Sequence, residues 1–403
     1  MASSTAPPLT GGSIRIPARN AGALAGLIAL THGVNDAYTS FLSPLLPRIM
    51  EKLGLSIALA ATLAMALSLA ASLLQPLMGY LADRYGRRLF VILGPLLSAT
   101  FLSLIGLPST FWVLILFLLL GGFGSAVFHP PAASLAAGIS AGKGSGLRMS
   151  VFSLGGSLGW AVGPLAAVGL VGWVGLEGLW IAMIPGILVA FLIFPLLPPG
   201  RSRLGARPPL SPGEVFGQLR GRLGLLFGIS VTGAFAQRVF LTMGPIVASR
   251  AGATEAQGAL ALSLYLGAQA VGTLMGGFLS DRMDRGRLLA GLTFLAFPAH
   301  FLAVALTPGQ FPAYLMACVA GFFGMAMMPS IVVWAQELLP DGAAVGSGIV
   351  MGLAWAVGSL GVLGTGALGD WIGPREAAMI SMPALLLGTI LALNPGLREG
   401  KRF

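Results

Sequence analysis

The chain has one cysteine, Cys318, in 403 residues. A lone thiol excludes an internal disulfide and leaves no thiolate set for a metal or redox centre. Charge is scarce as well. Asp, Glu, Lys and Arg make up 9% of the residues, against about 25% in soluble domains. With 56% hydrophobic residues, a soluble globule of this length could not cover its apolar surface, so its solvent must be lipid. The sequence holds no P-loop, which excludes ATP as the energy source. No Ser/His/Asp order and no metal-ligand spacing is visible, so neither an enzyme nor a bound metal or cofactor is expected.

What is present is arranged for a bilayer. The 59 glycines and 27 prolines fall inside apolar runs, where they serve close helix contacts and kinks. The net charge of +10 does not point to nucleic acid, because the basic residues cluster in short polar gaps between apolar runs. The first 20 residues, rich in Ser, Pro and Gly with Arg15 and Arg19, read as a cytoplasmic tail and not as a cleavable signal.

A helix needs roughly 20 apolar residues to cross about 30 Å of hydrocarbon. Twelve runs qualify: 21–47, 56–79, 89–107, 111–138, 149–171, 176–197, 223–249, 256–280, 287–306, 311–338, 344–369 and 374–394. Residues 198–222, rich in Pro and Arg, form the longest polar gap and read as a cytoplasmic linker between two six-helix bundles, 21–197 and 223–394, followed by a tail, 395–403. With both termini inside, 18 of the 23 Lys and Arg fall in cytoplasmic segments and four outside, as the positive-inside rule expects. The reading is a monomeric, multi-pass inner-membrane protein with cytoplasmic termini.

The halves repeat. Gly144–Gly159 aligns with Gly346–Gly361 at an offset of 202, Gly79–Arg88 with Gly277–Arg287 at 198, and Pro44 with Pro245 at 201. This is a tandem 6+6 repeat about an axis normal to the membrane.

"GYLADRYGRR" (Gly79–Arg88) resembles the signature loop of the major facilitator superfamily, and the repeat carries a degenerate copy with Asp281 and Arg282. Gly79 permits close helix approach, Asp83 can cap a neighbouring helix or pair with an Arg, and Arg84, Arg87 and Arg88 follow around Gly86. The resemblance implies that this loop latches the halves in one access state; a plain positive-inside loop is the alternative. "HGVNDAYTSFLSPLLPRIMEKLGLS", "FGSAVFHPPAA" and "VFSLGGSLGWAVGPLAA" resemble the fosmidomycin-resistance branch of that superfamily. Pro131, Ser153 and Ser157 depart from that branch near the expected cavity. "GGSLGWAVGPL", with Gly155, Gly159, Gly163 and Pro164, is similar to the glycine–proline motif of drug/proton antiporters, although such spacing also serves plain packing.

Charges in mid-bilayer cost at least ~2.5 kcal/mol and normally face a cavity or a partner. Of thirteen acids, only Asp36 lies deep in a span. Asn35, Thr39, His32, Ser43, Asp36 and Ser40 share one helix face. Asp36 is therefore the candidate proton carrier, with His32 one turn away to tune or relay; static pairing is the alternative. Arg238 is the one basic residue in mid-span and suits an anion, unless it pairs with Asp36. His129 precedes Pro130 and Pro131, which free two carbonyls and mark a break of the kind transporters use for binding. Asn35, Gln237, Tyr265 and Gln269 complete the candidate substrate site. His300 is expected at the periphery.

The expected function is proton-coupled export of a small polar or anionic compound by alternating access, as the resemblance implies, with lipid, protons and a small molecule as the partners. An importer or exchanger of a metabolite anion, and a non-transporting sensor on the same fold, are the alternatives.

Overall fold

The computed structural model describes residues 18–139, 145–197, 212–339 and 343–397. The expected N-terminal tail up to residue 17, the linker through residue 211 and the tail from residue 398 lie outside the described residues, as do Lys143 and Asp341.

The described residues are helical throughout, with no strand. Twelve spans follow in order. α1 comprises Ala18–Thr39 and Leu42–Leu53, α2 spans Ile57–Tyr85, α3 Arg87–Ser103, α4 Phe111–Ile139, α5 Ser145–Val174 and α6 Glu177–Leu196. In the second half, α7 spans Arg222–Arg250, α8 Glu255–Ser280, α9 Arg285–Ala305, α10 Phe311–Leu338, α11 Val345–Ile372 and α12 Pro374–Ala392. Each apolar run of the sequence has become one span. The first run is longer than its hydropathy suggests and is interrupted at Ser40–Phe41, where the backbone tightens to three-residue hydrogen bonds onto Ala37 and Tyr38. Pro44 lacks the N–H that the Ser40 carbonyl would otherwise accept, so the interruption is written locally.

Helix pairings repeat between the halves. α1 packs on α5 as α7 packs on α11, and α3 on α4 as α9 on α10. The bundles meet through α2 against α11 and α5 against α8, two contacts that exchange under the pseudo-twofold axis. In lipid these contacts gain little from the hydrophobic effect and depend on close backbone approach. α5 shows how: a Cβ on Gly155, Gly159 or Gly163 would overlap Ala29, Gly33 or Ser40 of α1. α8 repeats the device against α10, with Gly272 and Gly276 seated on the carbonyls of Phe322 and Ala326.

Both described termini lie at one end of the bundles. At the opposite, remote end, Trp112, Trp173 and Trp371 are largely exposed and Trp180 half-exposed, an aromatic girdle of the kind found at membrane interfaces. Two polar contacts bridge the bundles at the remote end. Arg48 at the end of α1 donates two hydrogen bonds to Glu255 at the start of α8, at 2.6 and 2.8 Å. Asp370 of α11 accepts from the backbone N–H groups of Ile57 and Ala58 at the start of α2, at 2.7 and 2.9 Å.

At the terminal end, Asp83 pairs with Arg87 one turn on, at 2.6 Å. Arg84 donates to the Tyr80 hydroxyl, and Gly86 turns the chain with φ of 103°. Arg88 donates to the Phe194 carbonyl and lies over that ring. In the second copy of the motif, Arg282 lies over Phe278. Asp281 is exposed, and it is Asp284 that caps α9 by accepting from the Arg287 N–H. The polar contacts of Asp83 thus stay within its own bundle.

Candidate functional site

The polar face of α1 is buried between α4 and α5. Asp36 is 7% exposed and His32 8%. The Asp36 carboxylate faces two imidazoles: Nε2 of His32 at 3.2 Å on Oδ2 and Nε2 of His129 at 3.1 Å on Oδ1. Each ring is oriented from its other nitrogen. His32 Nδ1 lies 2.9 Å from the Phe152 carbonyl, and His129 Nδ1 lies 2.8 Å from the Ser125 carbonyl. His32 also stacks on Phe152 at 4.2 Å between centroids. Asn35 donates to Asp36 Oδ1 at 3.1 Å. The local sequence explains the closeness. A Cβ on Gly156 would strike His32 and Asp36, and Pro130 packs against Gly79, holding His129 against α1.

The chemistry of the cluster follows from counting protons. Both Nδ1 atoms face carbonyl acceptors, so each must carry hydrogen. The two Nε2···carboxylate links then need two further protons. With one, the cluster is neutral and one link lacks its hydrogen; with two, both links are complete and the cluster carries a charge of +1. The two links therefore compete for protons on the same carboxylate.

Among the described residues this arrangement has no counterpart in the second half. At the repeat offset of 201 set by Pro44 and Pro245, His32 corresponds to Gly233 and Asp36 to Gln237. Gly79 against Pro130 corresponds to Gly277 against Pro329, which puts Met328 where His129 stands.

Asp36 and Arg238 are not paired. Arg238, in the middle of α7, has no carboxylate partner among the described residues, and its Nε is buried without an acceptor. Instead its guanidinium lies over two indoles, at 6.0 Å from Trp160 of α5 and 5.6 Å from Trp355 of α11. Thr39, Ser40, Ser43, Pro164 and Leu266 line a small cavity with Arg238 and Trp160. Trp160 Nε1 donates to Thr39 Oγ1, which donates to the Asp36 carbonyl. One residue, Thr39, thus connects the carboxylate's helix turn to the wall of the arginine cavity. Trp355 lies two residues past a π-helical turn, Gly348–Leu353, a distortion common at functional sites. Neither tryptophan is among the site residues expected from the sequence; no local pattern links positions 195 apart.

Gln237, Tyr265 and Gln269 lie together in the second bundle but not on the open cavity. Tyr265 is fully buried and bonded to His300 Nε2 at 3.0 Å, and Gln237 donates to Gln269 at 3.4 Å. His300 is not peripheral: it is 1% exposed, with Nδ1 on the Ala296 carbonyl. Tyr38 fastens α1 to α6 by donating to the Ala182 carbonyl and accepting from the Gly186 N–H.

Comparison with known proteins agrees with this architecture. The chain is 28% identical to the uncharacterized MFS-type transporter YfnC of Bacillus subtilis, covering 98% of each chain. It is 27% identical to the fosmidomycin resistance protein of Escherichia coli, covering 95% of each. Its fold matches a bacterial homologue of the human lysosomal transporter Spinster in an inward-facing conformation, with a TM-score of 0.78 at 18% identity over 95% of this chain and 99% of that one. The family model described as Major Facilitator Superfamily matches residues 28–360. The chain belongs to the major facilitator superfamily, a multi-pass membrane protein built for secondary transport of a small molecule.

Proposed function

We propose that the protein exports a small polar or anionic compound in exchange for protons across the bacterial inner membrane. The observation that carries this reading is a buried carboxylate held by two imidazoles, on the helix turn before Thr39, which lines a small cavity with an arginine that has no carboxylate partner among the described residues. Asp36, His32 and His129 hold the exchangeable proton. Arg238 holds the anion, and Asn35 orients the carboxylate. The similarity to the fosmidomycin resistance protein supports efflux. The chain acts as a monomer of two bundles, 21–197 and 223–394, joined by the linker 198–222, with its termini in the cytoplasm. The glycines of α5 hold the site together, while the loops around Asp83 and Asp281 act in gating.

Alternating access supplies the coupling. For antiport, proton and anion must favour opposite conformations, so that each crossing carries one or the other. A second reading, exchange of one metabolite anion for another, is favoured by the independence of Arg238 from Asp36 in this conformation.

Proteoliposomes with imposed pH gradients of both signs distinguish these. Proton antiport requires that the gradient drive uptake or efflux and that Asp36→Asn abolish this drive while counterflow persists. Anion exchange with no dependence on the gradient would sink the antiport reading.

A further inference from the structure

We infer that His32, Asp36 and His129 form a binding site for a divalent transition-metal ion of the zinc class, which takes the place of the cluster's link hydrogens. The site goes beyond the transport reading above and does not depend on it. Its ligand atoms come from α1 and α4 and all lie within 4.8 Å of one another. Zinc binds imidazole nitrogen at about 2.0–2.1 Å and carboxylate oxygen at about 2.0–2.2 Å. The two nitrogen–oxygen separations are 3.2 and 3.1 Å. With zinc bond lengths, such pairs subtend about 95–100° at an ion on the carboxylate fork, close to the angles of real zinc sites. The ion then lies about 1.4 Å to the side of each N···O line, so neither link has to stretch. The two Nε2 atoms make the adjustment, closing toward the ~3.4 Å that a tetrahedral ion imposes.

The surroundings are those of a metal site. A ligating histidine offers one nitrogen to the ion and fixes its ring by donating the other N–H to a carbonyl or carboxylate. Here the Phe152 carbonyl holds Nδ1 of His32 and the Ser125 carbonyl holds Nδ1 of His129. A Cβ on Gly156 would lie 2.5 Å from His32 Nε2 and 2.9 Å from Asp36 Oδ2, so glycine keeps side-chain bulk off both ligand atoms. Asn35 is an independent sign. Its amide nitrogen donates to Asp36 Oδ1, while its own Oδ1 is buried with no partner among the described residues. A buried acceptor left unmade is costly, and a water completing the ion's coordination would donate to it. The His129 side chain is 27% exposed, against 10% for His32 and Asp36, and gives the ion its way in.

Two imidazoles and one carboxylate select zinc, cobalt, nickel or copper over magnesium and calcium, which take oxygen ligands. The charge fits too. A divalent ion on one carboxylate and two neutral imidazoles leaves the cluster at +1, its charge when both link hydrogens are present. An ion held there occupies the atoms those hydrogens need and so blocks proton exchange. No metal-ligand spacing shows in the sequence because the two histidines belong to different helices.

The test is equilibrium binding of Co2+ and Zn2+ to the full chain, freed of any histidine tag and treated with chelator, in lipid nanodiscs. One Co2+ per chain should bind with visible d–d absorption, be displaced by Zn2+, and withstand excess Mg2+ or Ca2+. His129→Gln and Asp36→Asn should each weaken binding at least tenfold, as should His32→Gln, and Asn35→Ala about tenfold, the lower bound for an outer partner. His300 is the only other histidine and Cys318 the only thiol, so His300→Gln and Cys318→Ser should bind as wild type. Zinc-edge X-ray absorption of the unmutated protein should show two imidazoles and no sulfur, a readout that needs no variant to fold. Absence of one-to-one binding, displacement by Mg2+, sulfur in the zinc shell, or wild-type affinity in folded His129→Gln would overturn the proposal. The two readings can fail separately. One-to-one zinc binding that leaves proton-driven flux intact keeps the site and removes the cluster from proton exchange; Asp36-dependent proton-driven flux with no metal binding removes this inference alone.

Discussion

Removing Asp370 should open the remote end of the two bundles. Its carboxylate accepts from the first two N–H groups of α2, at 2.7 and 2.9 Å, across the bundle interface. Two contributions are lost in Asp370→Ala. Loss of a helix-capping acceptor costs typically about 1 kcal/mol, and loss of a negative charge at a helix N-terminus about 0.3–1 kcal/mol. The Arg48–Glu255 pair is geometrically good but its side chains are 39% and 29% exposed, so solvent screening holds it to about 0.5–1 kcal/mol. The two latches are separate, and their losses should add. Asp370→Ala alone should then shift the closed-to-open ratio about tenfold, and Asp370→Ala with Glu255→Gln roughly thirty- to one-hundredfold. Spin labels at Ser109→Cys and Gln310→Cys, in loops of opposite bundles at this end, report the change by pulsed dipolar spectroscopy once Cys318 is replaced by Ser. A growing long-distance population that follows the order wild type, single variant, double variant is expected. An unchanged distance distribution in the folded double variant would refute the latch.

His129→Gln should abolish proton-driven flux nearly as completely as Asp36→Asn, because either change leaves the cluster unable to hold two exchangeable protons; flux against imposed pH gradients measures both. Gly159→Ala places a methyl group into the Gly33 backbone and should destabilise the fold by about 1–3 kcal/mol, read as a lower unfolding temperature in detergent. Tyr265→Phe leaves His300 Nε2 without its partner and should cost about 1–3 kcal/mol in the same assay.

Much of the architecture is legible in the chain because lipid removes alternatives. Without water in the bilayer, each apolar run must close its hydrogen bonds internally and become a helix. The twelve spans, the repeat and the polar face of α1 are therefore local facts. Asp36, His32 and Arg238 stand out for the same reason: ionisable groups are rare where they are expensive. Partnership is another matter. The sequence places Arg238 within one residue of the repeat equivalent of Asp36, which makes a pair between them equally arguable. Only packing decides that Asp36 takes His32 and His129.

What the sequence by itself determined was the solvent, the helix count and the short list of costly residues, all set by the price of polar atoms in hydrocarbon. What only the tertiary structure decided was their company. Glycines at 155, 156 and 159 let α5 press on α1, which seats His129 of α4 beside the carboxylate and aims Trp160 at Arg238. Trp355 arrives from α11, in the same bundle as Arg238 but 117 positions after it in sequence. Helical periodicity relates residues three or four apart; contacts between helices follow from the shape of whole packed surfaces.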